Sequence, residues 1–122
     1  MPRFVEMDNS TTLFAQMEQE VGTVVLINAF TVEPEDEEQF LKTWAADAAV
    51  MKQQSGFISA QLHKGIGRSR VFVNYAVWES AAAFKRAFHN PDFQAKMRDY
   101  PPNATVSPHL FQKITVPGIC TA

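Results

Sequence analysis

The spacing of apolar residues changes several times along the chain, and each change predicts an element. Residues 23–32 (TVVLINAFTV) are dense in β-branched side chains and predict a first strand. Pro34 and the acids Glu35, Asp36, Glu37 and Glu38 then open a helix, since proline suits a first turn and carboxylates suit the positive helix end. Phe40, Leu41, Trp44, Ala48 and Met51 recur at helical spacing until Ser55-Gly56 stops it. Residues 57–64 (FISAQLHK) alternate as a second strand, and Gly65-Ile66-Gly67 turns the chain into a third at 71–78 (VFVNYAVW). Ser80 caps a second helix carrying Phe84, Ala87 and Phe88, which Asn90-Pro91 interrupts before a short piece with Phe93 and Met97. Tyr100-Pro101-Pro102-Asn103 ends that region. A last strand is expected across residues 109–116, closed by Pro117-Gly118.

The order β-α-β-β-α-β predicts an α+β, ferredoxin-like fold: a four-stranded antiparallel sheet with both helices on one face. Residues 1–21 are an N-terminal arm and residues 22–122 one domain. The strands carry apolar residues on both faces: Val25, Ile27 and Ala29 against Leu26 and Phe30, and Val71, Val73 and Val77 against Phe72 and Ala76. The face without helices needs cover, and a second copy of the chain is the simplest source, so a homodimer is expected. The arm is expected to reach that partner, because Leu13, Phe14 and Met17 also need cover.

Composition narrows the class. With 46% hydrophobic and 20% charged residues, the 122-residue chain suits one globular domain rather than a disordered segment. A formal net charge of −2 offers no attraction to nucleic acid or an anionic membrane. No apolar run approaches the roughly 18–20 residues of a membrane span. The N-terminus lacks an apolar signal core, and the single cysteine, Cys120, fits a reducing compartment; a cytoplasmic protein is expected.

The third strand holds the most informative chemistry. Alternation places Phe72, Asn74, Ala76 and Trp78 on one face, so a lone amide projects among apolar groups. A buried amide without a partner costs roughly 1–3 kcal/mol, which argues for a backbone partner or a ligand. Asn28, between Leu26 and Phe30, is a second inward amide. Trp44, Phe72, Phe84 and Phe88 are candidate pocket-lining aromatics, each with a plainer reading in core packing, and Arg98 read by itself is a solvated helix residue. Three dispersed histidines and one cysteine show no metal-ligand spacing, and Gly65-x-Gly67 lacks the third glycine of a dinucleotide loop.

Taken with Asn28-Ala29-Phe30-Thr31-Val32-Glu33-Pro34, Gly56-Phe57, Leu62-His63, Val77-Trp78-Glu79-Ser80 and Ala83-Phe84, the chain resembles the antibiotic biosynthesis monooxygenase domain family. The resemblance covers roughly residues 22–116 and implies a dimeric α/β barrel built from two ferredoxin-like sheets. The family's cofactor-free oxygenases of anthrones and polycyclic phenols use an asparagine, a tryptophan four later, a tyrosine and an arginine. Their positions read Asn74, Trp78, Phe84 and Arg98 here, so phenylalanine replaces the tyrosine. The resemblance thus implies catalytic Asn74, Trp78 and Arg98, an aromatic, anthrone- or quinol-like substrate, O₂, and no cofactor. The haem-degrading branch is the alternative: Asn28 matches it, but its tryptophan and haem-ligating histidine read Ala87 and Met97, with His89 nearby. A non-catalytic dimeric ligand-binding module is a third reading.

Overall fold

The computed structural model describes residues 1–122. Its elements, in chain order, are β1 (Arg3–Phe4), α1 (Leu13–Gln16), β2 (Val24–Thr31), a 3₁₀ turn (Pro34–Asp36), α2 (Glu37–Lys52), β3 (Phe57–Lys64), β4 (Val71–Trp78), α3 (Ala81–Phe88), α4 (Pro91–Met97) and β5 (Thr105–Phe111). The sheet order is β1-β5-β2-β4-β3. Four of these strands make the antiparallel ferredoxin-like core, and β1 adds a parallel edge beside β5. Within one chain the sheet is open and does not close into a barrel.

Local signals act as their chemistry dictates. Pro34 opens the 3₁₀ turn, and Glu37 and Glu38 sit in the first turn of α2 with Lys52 in its last, each favoured by the helix dipole. Ser80 accepts the Ala83 N–H at 3.0 Å and caps α3. Asn90 accepts the Asp92 N–H at 2.8 Å and starts α4 ahead of Pro91. Gly56 has φ of +90° and its Cα lies close against Ala83, so a larger residue would meet both strain and a clash.

Three expectations are corrected. The last strand spans Thr105–Phe111 rather than 109–116, and Val106, Pro108 and Leu110 alternate inward along it. Pro108 reads as a breaker, but β1 pairs only as far as Val106, so Pro108 sits where β5 is a sheet edge and proline is tolerated. The sheet is five-stranded and mixed rather than purely antiparallel. The arm, finally, packs on its own chain. Leu13 and Met17 are buried in the chain's own core, and Ser107 Oγ donates to Val5 O at 2.6 Å. Gln16 completes the clamp: its amide takes the Leu110 N–H and gives to the Leu110 carbonyl, both at 2.9 Å, imitating a strand partner along the edge β1 leaves open.

The core fills the space between sheet and helices in two neighbouring clusters. One gathers Leu13, Leu26, Ala76, Trp78, Phe84 and Phe93; the other gathers Phe30, Phe40, Phe72, Tyr100 and Val106. The other sheet face carries Ile27, Ala29, Val73 and Val77, half-buried, with Val71, Tyr75 and Phe111 exposed.

Candidate active site

Between the two clusters the packing does not close. A cavity there encloses about 730 Å³ of space including its mouth, of which about 70 Å³ admits the centre of a water molecule. The sheet contributes Leu26, Asn28, Asn74, Ala76, Trp78 and Pro108 to the wall. The helices contribute Trp44, Asp47 and Met51 from α2, Phe84 and Phe88 from α3, and Phe93 and Met97 from α4. Phe4 and Leu13 of the arm close the lining. Of 21 lining residues 17 are hydrophobic, so the few polar groups determine what orientation a ligand takes.

Asn28 and Asn74 are those polar groups on the sheet side. They stand directly opposite each other in the β2–β4 ladder, on the same face. Asn28 Oδ1 accepts the Ser107 N–H at 3.0 Å, next to Pro108, which has no N–H to offer. Asn74 Oδ1 is fully buried and has no hydrogen-bond partner. An orphan of that kind costs roughly 1–3 kcal/mol, and native proteins keep few without a reason.

Trp78 is buried, with its ring edge-on to Phe57 at 5.4 Å and to Phe84 at 5.7 Å. Phe88 stands 6.0 Å from Phe84 and 5.5 Å from Phe93. These rings form a rigid apolar wall, and their mutual contacts hold them in place without a ligand.

Two candidates from the sequence are not brought to this site. Arg98 is exposed at the C-terminal end of α4 and is not part of the lining. The helix ends there, and a long cationic side chain gains more from water than from an apolar wall. Phe72 is 3% exposed and lies 4.8 Å from the Phe40 ring, inside the second cluster rather than on the wall. The face shared by Phe72, Asn74 and Trp78 is long enough for its ends to meet different neighbours.

Sequence reasoning missed Asp47 and Tyr100. The Tyr100 hydroxyl donates to Asp47 Oδ2 at 2.6 Å, and both residues line the cavity. Burial pushes the Asp47 carboxyl up to about 6, with the Tyr100 bond opposing the rise. Burial, then the adjacent Asp47 charge, pushes the Tyr100 phenol above its ordinary range. One signal was available: Asp47 lies three residues after Trp44 and four before Met51, which sets an acid inside the apolar stripe of α2.

The lining does not fit a haem held by histidine. It contains no histidine, the family position for that ligand is Met97, and His89 is exposed outside it.

An antiparallel four-stranded core under helices, with paired amides on the wall of a largely apolar cavity, defines a small ferredoxin-like domain. The sequence matches the family model described as antibiotic biosynthesis monooxygenase over residues 23–99, and the chain belongs to that family. It is 36% identical over 70 residues to deoxynogalonate monooxygenase of Streptomyces nogalater, a match covering 57% of this chain and 58% of that protein. The crystal structure of SnoaB, described as a cofactor-independent oxygenase of the same organism, superposes with a TM-score of 0.72. At 28% identity it covers 80% of this chain and 99% of its own. A candidate monooxygenase of Shewanella loihica superposes with a TM-score of 0.64 at 30% identity, again covering 80% and 99%.

Proposed function

We propose that this protein is a cofactor-independent monooxygenase that oxidises an enolisable aromatic, anthrone- or quinol-like molecule with O₂. The observation that carries the reading is the pair of amides, Asn28 and Asn74, standing opposite each other on the wall of a largely apolar cavity. The likeness to SnoaB and to deoxynogalonate monooxygenase supports the same chemistry.

An anthrone carries a CH₂ group whose deprotonation gives an anion delocalised onto the ring carbonyl. That anion is electron-rich enough to pass an electron to O₂ directly. The resulting radicals join through a new C–O bond, the peroxide takes up a proton, and its O–O bond and the remaining C–H bond break to release water and leave a carbonyl. In sum, CH₂ and O₂ become C=O and H₂O. The protein's share is to hold the ring flat against Trp78, Phe84 and Phe88, exclude bulk water, and hydrogen-bond the charged oxygen through the Asn28 and Asn74 amides. Trp44 covers the ring from α2.

The active unit in this reading is a homodimer, paired through the apolar outer sheet face that carries Ile27, Val73 and Tyr75. Its substrates are a small aromatic compound and O₂, with no nucleic acid or membrane required.

Oxygen uptake with an anthrone and hydroquinone panel, without added flavin or metal, tests the proposal. Turnover that Asn74→Ala and Trp78→Phe reduce together supports it. Tryptophan fluorescence quenching by the same compounds with no oxygen uptake would make the protein a binding module instead.

A further inference from the structure

The cavity has chemically different sides. The sheet side carries neutral amides, and the helix side carries the only charged group of the lining, Asp47. Asp47 Oδ2 is occupied by the Tyr100 hydroxyl at 2.6 Å, while Oδ1 has no partner in the chain. Tyr100 is 1% exposed and locked among Phe30 and Phe40, at ring distances of 5.8 and 5.7 Å. The carboxylate is therefore held at one oxygen and open at the other. From these placements we propose that Asp47 is the base that takes the proton from the substrate, with Tyr100 positioning it.

This assignment rests on the oxygenase reading. In the step, a C–H bond of the substrate breaks and the proton passes to Asp47 Oδ1. The electron pair stays on carbon and spreads to the ring carbonyl oxygen, which the Asn28 and Asn74 N–H groups meet from the sheet. Asp47 later returns the proton to the outer peroxide oxygen; the O–O bond and the remaining C–H bond then break, that oxygen leaves as water with both hydrogens, and the carboxylate is regenerated. Dioxygen is the oxidant, and no other redox partner is needed.

The environment suits a base. A carboxylate pushed up to about 6 binds a proton more strongly than an ordinary one and is still ionised at neutral pH. Tyr100 is the titratable neighbour that acts on it; the other lining side chains from β2, β4, β5, α3 and α4 are uncharged. Raised well above its usual range, the Tyr100 phenol keeps its proton and remains a donor. Tyr100 lies one residue beyond the stretch matched by the family model, which ends at 99.

Anaerobic exchange separates this step from oxygen chemistry. Wild-type protein in D₂O with anthrone and no O₂ should exchange the methylene protons faster than buffer does, followed by NMR. Asp47→Asn should lower that enzyme-dependent rate about 10²–10⁴-fold, while anthrone quenching of tryptophan fluorescence still reports binding within about threefold of wild type. Tyr100→Phe removes the bond that holds the Asp47 value down, so its exchange–pH midpoint should move upward. That readout stands even where Asp47→Asn fails to fold. Asp47→Asn exchanging within about threefold of wild type overturns the proposal, and so does an unmoved midpoint in Tyr100→Phe. Wild-type oxygen uptake without enzyme-dependent exchange overturns the base assignment alone. Loss of both overturns the oxygenase reading as well.

Discussion

Asn28 and Asn74 face each other across adjacent strands, yet one carbonyl is satisfied by the Ser107 N–H and the other by nothing. Identical side chains at paired positions thus carry opposite energetic signs. Asn28 is part of the fold as well as of the wall. Asn74 is a cost the fold tolerates.

Stability should divide the pair. Asn28→Ala leaves the Ser107 N–H unpaired and should lower unfolding free energy by about 1–2 kcal/mol. Asn74→Ala removes an orphan and should fall within about 0.5 kcal/mol of wild type or above it. Urea unfolding measures both. In oxygen uptake both variants should lose about a hundredfold if their amides meet the developing oxyanion.

Asp47 predicts a pH-dependent stability difference. Its value in the folded protein, about 6, lies above the ordinary 3.8, so the fold favours the neutral acid. That contribution is complete below about pH 4 and is lost as pH rises through about 6. Asp47→Asn mimics the neutral form and keeps the Tyr100 partner. Thermal or urea unfolding should show it roughly 1–3 kcal/mol more stable than wild type at about pH 7, with the gap closing toward pH 4. A constant gap across that range would contradict the burial of Asp47.

Arg98 provides a test by indifference. It is exposed and outside the cavity wall, so Arg98→Ala should leave kcat and KM within about twofold of wild type. A large fall in kcat would mean that substrate binding draws α4 inward.

The arm should act within its own subunit. Deleting residues 1–20 removes Leu13 and Met17 from the core and Gln16 from the β5 edge. Loss of one buried Leu or Met side chain alone costs about 2–5 kcal/mol. The truncated chain should therefore unfold at markedly lower urea, at any protein concentration. Tyr75→Lys, on the outer sheet face, tests the proposed homodimer: if that face pairs two copies, the molecular mass seen by light scattering should fall from two chains to one.

Most elements were legible because their causes are local. The bounds of β3 and β4, the Ser80 cap, the break at Asn90-Pro91 and the acid-rich start of α2 follow from residues within a few positions of each other. So does the shared face of Asn74 and Trp78, since a strand's alternation is covalent geometry. Where β5 begins was not local. Pro108 forbids a strand only if a ladder bond is needed there, and that depends on how far β1 reaches.

By sequence alone, then, this protein was committed to a ferredoxin-like order of elements and to an amide and an indole on one strand face. Tertiary structure alone decided which side chains share a cavity. Asp47 and Tyr100 are 53 residues apart, and no periodicity connects a helix acid to a tyrosine ahead of two prolines. It also decided that Arg98 and Phe72, plausible by position, belong to solvent and to core. Spacing sets the direction in which a side chain leaves its own element. What it meets there depends on how the elements pack.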